Sequence, residues 1–135
     1  MKIQFSYISG GAHPLVGETL YWQPKVVEGE GSARYDRYMC GALGAIAQTV
    51  EDCSRILEFI EEIKKGNVDK IETGGNDVTL KISKFGVQVD IEINDQWVGQ
   101  PEGMFLLNEW ERVLIGWREF IKMPRSLDTV FEVEL

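Results

Sequence analysis

The chain reads as an α+β protein: an antiparallel β-sheet packed against two or three α-helices, forming a single domain over residues 1–135. Three observations predict this. Residues 78–94 alternate Val78, Leu80, Ile82 and then Val87, Val89, Ile91, Ile93 with polar neighbours, the period of a half-buried hairpin. Residues 50–65 and 109–122 instead repeat apolar side chains every three or four positions, which gives a helix one face to bury. A length of 135 residues, with 44% apolar and 27% charged, is ordinary for one core that needs no disulfide staples.

Taken in order, residues 2–8 place Ile3, Phe5 and Tyr7 on one side and Lys2, Gln4 and Ser6 on the other, as a half-buried strand does. Gly10-Gly11 ends it. Between residues 10 and 33 the glycines and prolines, Pro14, Gly17, Pro24, Gly29 and Gly31, allow at most short strands at Thr19–Trp22 and Lys25–Val27. Residues 34–47 are helix-compatible, although Gly41 and Gly44 each cost about 1 kcal/mol against alanine.

A better-marked helix follows over 50–65. Thr49 and Asp52 resemble a capping arrangement, Val50, Cys53, Ile56, Leu57, Ile60 and Ile63 form the stripe, and Gly66 supplies the C-terminal stop. In the hairpin, keeping both apolar sets on one face requires pairing 82 with 87, 80 with 89 and 78 with 91, unless Gly86 introduces a bulge that shifts the register. The second strong helix carries Trp110, Val113, Leu114, Trp117 and Ile121, with Asn108 and Glu111 spaced as a capping box and Pro124 as its stop. Residues 130–135 close on a strand that alternates Phe131, Val133 and Leu135 with Glu132 and Glu134.

The charge is unevenly placed. Net charge is −8, yet residues 1–49 balance four acids against four bases, so the excess lies downstream. Such a balance argues against nucleic acid, whose affinity comes from Lys and Arg on phosphates, and suits a basic protein partner. It equally suits a domain that uses charge only for solubility.

Catalytic kits are missing. His13 is the single histidine, in a Gly/Ala/Pro context that reads as exposed loop, so a two-histidine acid–base pair and a His-rich zinc site are excluded. Cys40 and Cys53 lack CxxC spacing and read as reduced core thiols, which points to the cytoplasm. No serine stands in a GxSxG or SxxK setting, and the glycine pairs lack phosphate-cradling context. The expectation is a protein with no catalytic residue, cofactor or metal. An N-terminus that alternates polar and apolar residues reads as a strand and not a secretory signal, and no apolar run reaches membrane-spanning length.

Surface recognition remains. If the hairpin and the last strand share a sheet, Asp90, Glu92, Glu132 and Glu134 stand together on its outer face. Asp95, Trp97 and Glu102 add an aromatic among loop acids, and Tyr35 and Asp36 begin a second amphipathic cluster with Arg37 and Tyr38. Each aromatic has an alternative as a ring folded back onto the core.

The C-terminal third, LLNEWERVLIGWREFIKMP followed by VFEVEL, resembles a pattern in small bacterial immunity proteins of contact-dependent inhibition and other polymorphic toxin systems: a capped helix with Trp and a W-x-x-F-I ending. Size, acidity and the lack of catalytic residues are similar too. The resemblance implies a cytoplasmic protein that binds a cognate, basic, nuclease-like toxin domain and neutralises it; it transfers no functional residue position by position. The competing classes are a small-ligand binder or enzyme with a pocket between the sheet and residues 29–44, and a structural subunit whose acids only solubilise it.

Overall fold

The computed structural model describes the backbone of residues 1–15 and 17–135, and every side chain among these except that of His13, so the surface position expected of His13 falls outside what is described. In chain order the elements are β1 (Lys2–His13), β2 (Gly17–Glu28), α1 (Ser32–Arg34), a π-helical stretch (Tyr35–Cys40), α2 (Gly41–Ile46), α3 (Val50–Lys64), β3 (Lys70–Gly75), β4 (Val78–Ser83), β5 (Gly86–Ile91), β6 (Met104–Phe105), α4 (Leu107–Lys122) and β7 (Val130–Glu134). Short 3₁₀ turns at Asp95–Trp97 and Pro101–Gly103 lie between β5 and β6. The fold is α+β, as expected.

Its strands form two antiparallel sheets, ordered β2-β1-β7 and β3-β4-β5-β6, where one was anticipated. The final strand therefore pairs with β1 and never meets the hairpin. Strand β1 runs on past Gly10-Gly11 into a long hairpin with β2, pairing Ile3 with Val26, Phe5 with Pro24 and Tyr7 with Trp22. Proline inside β2 is tolerated because β2 is an edge. Two residues on, the Val26 N–H turns outward to Asp36 Oδ1 at 2.8 Å, so the donor that Pro24 lacks belongs to the side with no strand.

In the second sheet the β4–β5 register is the one the alternation requires, Val78 with Ile91, Leu80 with Val89 and Ile82 with Val87. Gly86 introduces no bulge. The strand stops at Ile91, however, and Ile93 is 73% exposed, so the inward row ends one position sooner than expected. Strand β3 was not foreseen. Its hairpin with β4 turns on Asn76-Asp77, whose φ angles of 52° and 64° are those of a two-residue type I′ turn.

Helix α3 is capped as anticipated, Thr49 Oγ1 accepting from the Asp52 N–H at 3.0 Å. Helix α4 starts earlier than Asn108 and Glu111 suggested. Glu109 makes the return bond, its Oε1 accepting from the Leu106 N–H at 3.1 Å, and Glu111 instead meets Lys64 Nζ at 2.8 Å, joining α4 to α3.

The inner faces of both sheets and the helices enclose one apolar core. Phe5 packs edge-on against Trp117 with centroids 5.0 Å apart, and the indole N–H of Trp117 donates to the Ala47 carbonyl at 2.7 Å, tying α4 to the link between α2 and α3. Cys40 and Cys53 are buried free thiols, pushed by that burial up to about 12 and about 11 and so unreactive near neutrality. Among the described residues no helix is long and apolar enough to cross a membrane.

At Gly116 helix α4 lies so close to β7 that an added Cβ would collide with Val133 Cγ2 and come within 3.3 Å of the Phe131 ring. Gly116→Ala gains about 1 kcal/mol in helix propensity but overpacks this contact by about 1–3 kcal/mol. Net destabilisation is expected, read as a lower urea midpoint; a raised midpoint would show that β7 yields freely.

Candidate functional site

Pairing in the second sheet decides which side chains share its outer face. Val78, Leu80 and Ile82 point inward, so Thr79 and Lys81 point out; across the registers they are joined by Glu72 on β3 and by Gln88 and Asp90 on β5. Glu92, just past β5, completes the row. The segment 94–103 then folds back along this face, and a groove of about 320 Å³ opens between them, lined by Glu72, Thr79, Lys81, Asp90, Glu92 and Asp95. A neighbouring depression of about 500 Å³ continues it across Lys70, Glu72, Lys81, Gln88 and Met104.

Asp90 is a correction. It was expected as a free surface acid, yet it is 2% exposed, because the returning segment covers it. Its Oδ1 accepts from the Gly99 N–H at 2.8 Å and its Oδ2 meets Lys81 Nζ at 3.2 Å; alongside, Gln88 Nε2 donates to the Gln100 carbonyl at 2.9 Å. These bonds hold the wall of the groove to its floor. Asp90 in turn favours the charged form of Lys81 and holds that ammonium above its ordinary range, with Glu72 and Glu92 adding smaller contributions.

Glu92 accepts from the Thr79 hydroxyl, and among the described residues no cation pairs with Glu72, Glu92 or Asp95. Three acids therefore face one groove without a counter-ion of their own.

Glu132 and Glu134 stand elsewhere. They lie on β7 in the other sheet, where Glu132 meets Lys2 Nζ at 3.9 Å and Gln4 Nε2 at 3.4 Å. The shared face of Asp90, Glu92, Glu132 and Glu134 does not exist, since periodicity carries no information on which sheet a strand joins. On an exposed edge such as β7 alternating acids oppose pairing with another chain. The acid at position 36 has a similar duty, closing the rim of β2 through the Val26 N–H.

Compared with protein-family models, curated proteins and solved structures, the chain matches none of them.

The aromatic candidates are folded back. Trp97 is partly buried against the core, and the Arg37 guanidinium lies 4.8 Å from its ring centroid. Tyr35 is 8% exposed; its hydroxyl donates to Glu109 Oε2, and burial, together with that carboxylate, pushes it up to about 12. Glu102 remains exposed, though its carbonyl accepts from Arg34 Nη1 at 3.0 Å.

Two groups of residues escaped the sequence-based set. Lys81 was assigned to the outer face by alternation but not counted, and Glu72 was hidden with β3. Arg34 carried no signal at all, because its two aromatic neighbours come from different parts of the chain: its guanidinium sits 4.6 Å from the Tyr35 ring and 4.5 Å from that of Phe105.

Proposed function

We propose that the chain is a cytoplasmic immunity-type inhibitor that uses the outer groove of its four-stranded sheet to hold a basic toxin domain. The observation that carries this reading is the gathering of Glu72, Glu92 and Asp95 around one open groove, with Lys81 already engaged by Asp90. Unpaired like charges beside one another are unfavourable in isolation and gain when a cationic surface arrives. The floor is a sheet and the wall is pinned by partly buried hydrogen bonds, so little ordering cost is left for association. The resemblance of the C-terminal third to immunity proteins points the same way.

Co-expression with the C-terminal domain of a large secreted protein encoded by a neighbouring gene tests this. A stable complex and rescued growth are expected, and absence of both overturns the reading. With that complex in hand, Glu72→Lys, Glu92→Lys and Asp95→Lys combined should slow association by about 10- to 1,000-fold and flatten its salt dependence. Glu132→Lys, on the other sheet, should leave the rate near that of the parent protein. Equal effects of both variants would return the groove acids to a solubilising role.

The small-ligand alternative also has an observation of its own, a cavity beside residues 31–38.

A further inference from the structure

We infer that the cavity between the helical segment at residues 31–38 and the 3₁₀ turn at Glu102 is a binding site for a small organic oxyanion, a carboxylate or a phosphate monoester. The cavity measures about 270 Å³ and is lined by Gly31, Ala33, Arg34, Arg37, Tyr38 and Glu102. That is just under the range of about 300–1,000 Å³ typical of drug-sized ligands, so the occupant is small.

Two arginines three residues apart on one segment, Arg34 and Arg37, line it. Each lies against aromatic rings, Arg34 over the contacting pair Tyr35 and Phe105 and Arg37 on Trp97, which fixes the planes before any ligand arrives. Arg34 is further held by Nη1 bonds of 3.0 Å to the Glu102 and Met104 carbonyls. Neither arginine has a carboxylate ion-pair partner among the described residues. Arg37 makes no hydrogen bond there either, so its donor fork is free for the two oxygens of an oxyanion.

Nearby acids are turned to other work. The Asp36 carboxylate faces the Val26 N–H, and that of Glu109 is taken by Tyr35 and Leu106. Among the described residues only Glu102 brings a carboxylate to the cavity lining, where it acts as a competitor for the arginines. Ala33, Gly31 and the Tyr38 ring supply the apolar wall against which the rest of an organic anion would lie. The segment is π-helical from Tyr35 to Cys40, an irregularity that is costly in an α-helix and recurs at functional sites.

Amide and arginine-side-chain NMR titrations of the intact chain with sodium acetate and with sodium phosphate, at ionic strength matched with chloride, test the inference. Saturable shifts confined to residues 31–38 and 97–103 and to the Arg37 Nε–H are expected. Saturation with acetate alone identifies a carboxylate ligand, and saturation with phosphate alone a phosphate monoester. Arg37→Ala should weaken binding about tenfold or more, and Glu102→Gln should tighten it by removing the competing charge. Arg37 is exposed, so its loss should leave the spectrum folded; if it does not, the Glu102→Gln variant decides alone. Linear, non-saturating shifts with both salts, shifts undiminished in Arg37→Ala, or no tightening in Glu102→Gln would overturn the site.

Discussion

Trp117→Ala should lower the unfolding free energy by about 3–5 kcal/mol, enough to remove a large part of the stability of a domain this size. The indole is fully buried, meets Phe5 and Trp22 edge-on and Phe120 at a tilt, and donates to the Ala47 carbonyl. Truncation leaves a ring-sized void between α4 and the three-stranded sheet, and strands the Ala47 carbonyl inside it. Trp117→Phe separates the two causes, since it fills most of the void while still losing the N–H. It should cost about 1–3 kcal/mol. Urea unfolding followed by far-ultraviolet circular dichroism measures both; a loss below 1 kcal/mol for the alanine variant would mean that the surrounding aromatics collapse into the space.

Asp90→Leu should cost about 1–3 kcal/mol, and the damage should be local. The carboxylate lies under the 94–103 segment, so its removal leaves the Gly99 N–H without its acceptor and frees Lys81 to solvent. Because Lys81 is itself 56% exposed, the cost stays below that of breaking a fully buried pair. Hydrogen exchange is the sensitive probe. Gly99 and its neighbours should lose protection while the amides of β4 and α3 keep theirs. Uniform loss across the chain would place Asp90 in the global core instead of at a local latch.

The contrast between these two residues shows what can be read from a linear chain. Trp117 sits on a helical stripe, and a stripe announces its own burial. The hairpin announces itself in the same way: the strict alternation of 78–82 and 87–91 favours one register over the bulged one that Gly86 left open, and that register forms. Asp90 also obeys the alternation, pointing outward as expected, but the chain returns over it through residues whose Gly and Pro content says only that they turn. Burial by a distant loop is not a local property. Strand β2 was obscured for a related reason, because Pro24 and Gly17 weaken any strand pattern unless the strand is known to be an edge. Strand β3 was obscured by Gly74-Gly75, because paired glycines favour a turn, whereas the turn is the Asn76-Asp77 pair beside them.

The candidate site followed the same division. Glu92 and Asp95 could be named from the sequence, whereas their grouping with Glu72 required the β3–β4 register, and the separation of Glu132 and Glu134 required the strand order. What looked like one acidic face is two surfaces with different work. One lines a groove; the other guards an open strand rim.

The π-helical stretch holds more residues per turn than the α-helix on either side, as though a single residue had been spliced into a regular helix. Excising one residue there would restore regular winding and rotate everything on one side of the cut by about 100° relative to the other. Asp36 and Arg37 are adjacent yet serve different neighbours, the first the β2 rim and the second Trp97. Because such a cut turns this pair relative to α2, a shortened chain could not keep both their contacts and the burial of Ala42, Leu43 and Ile46.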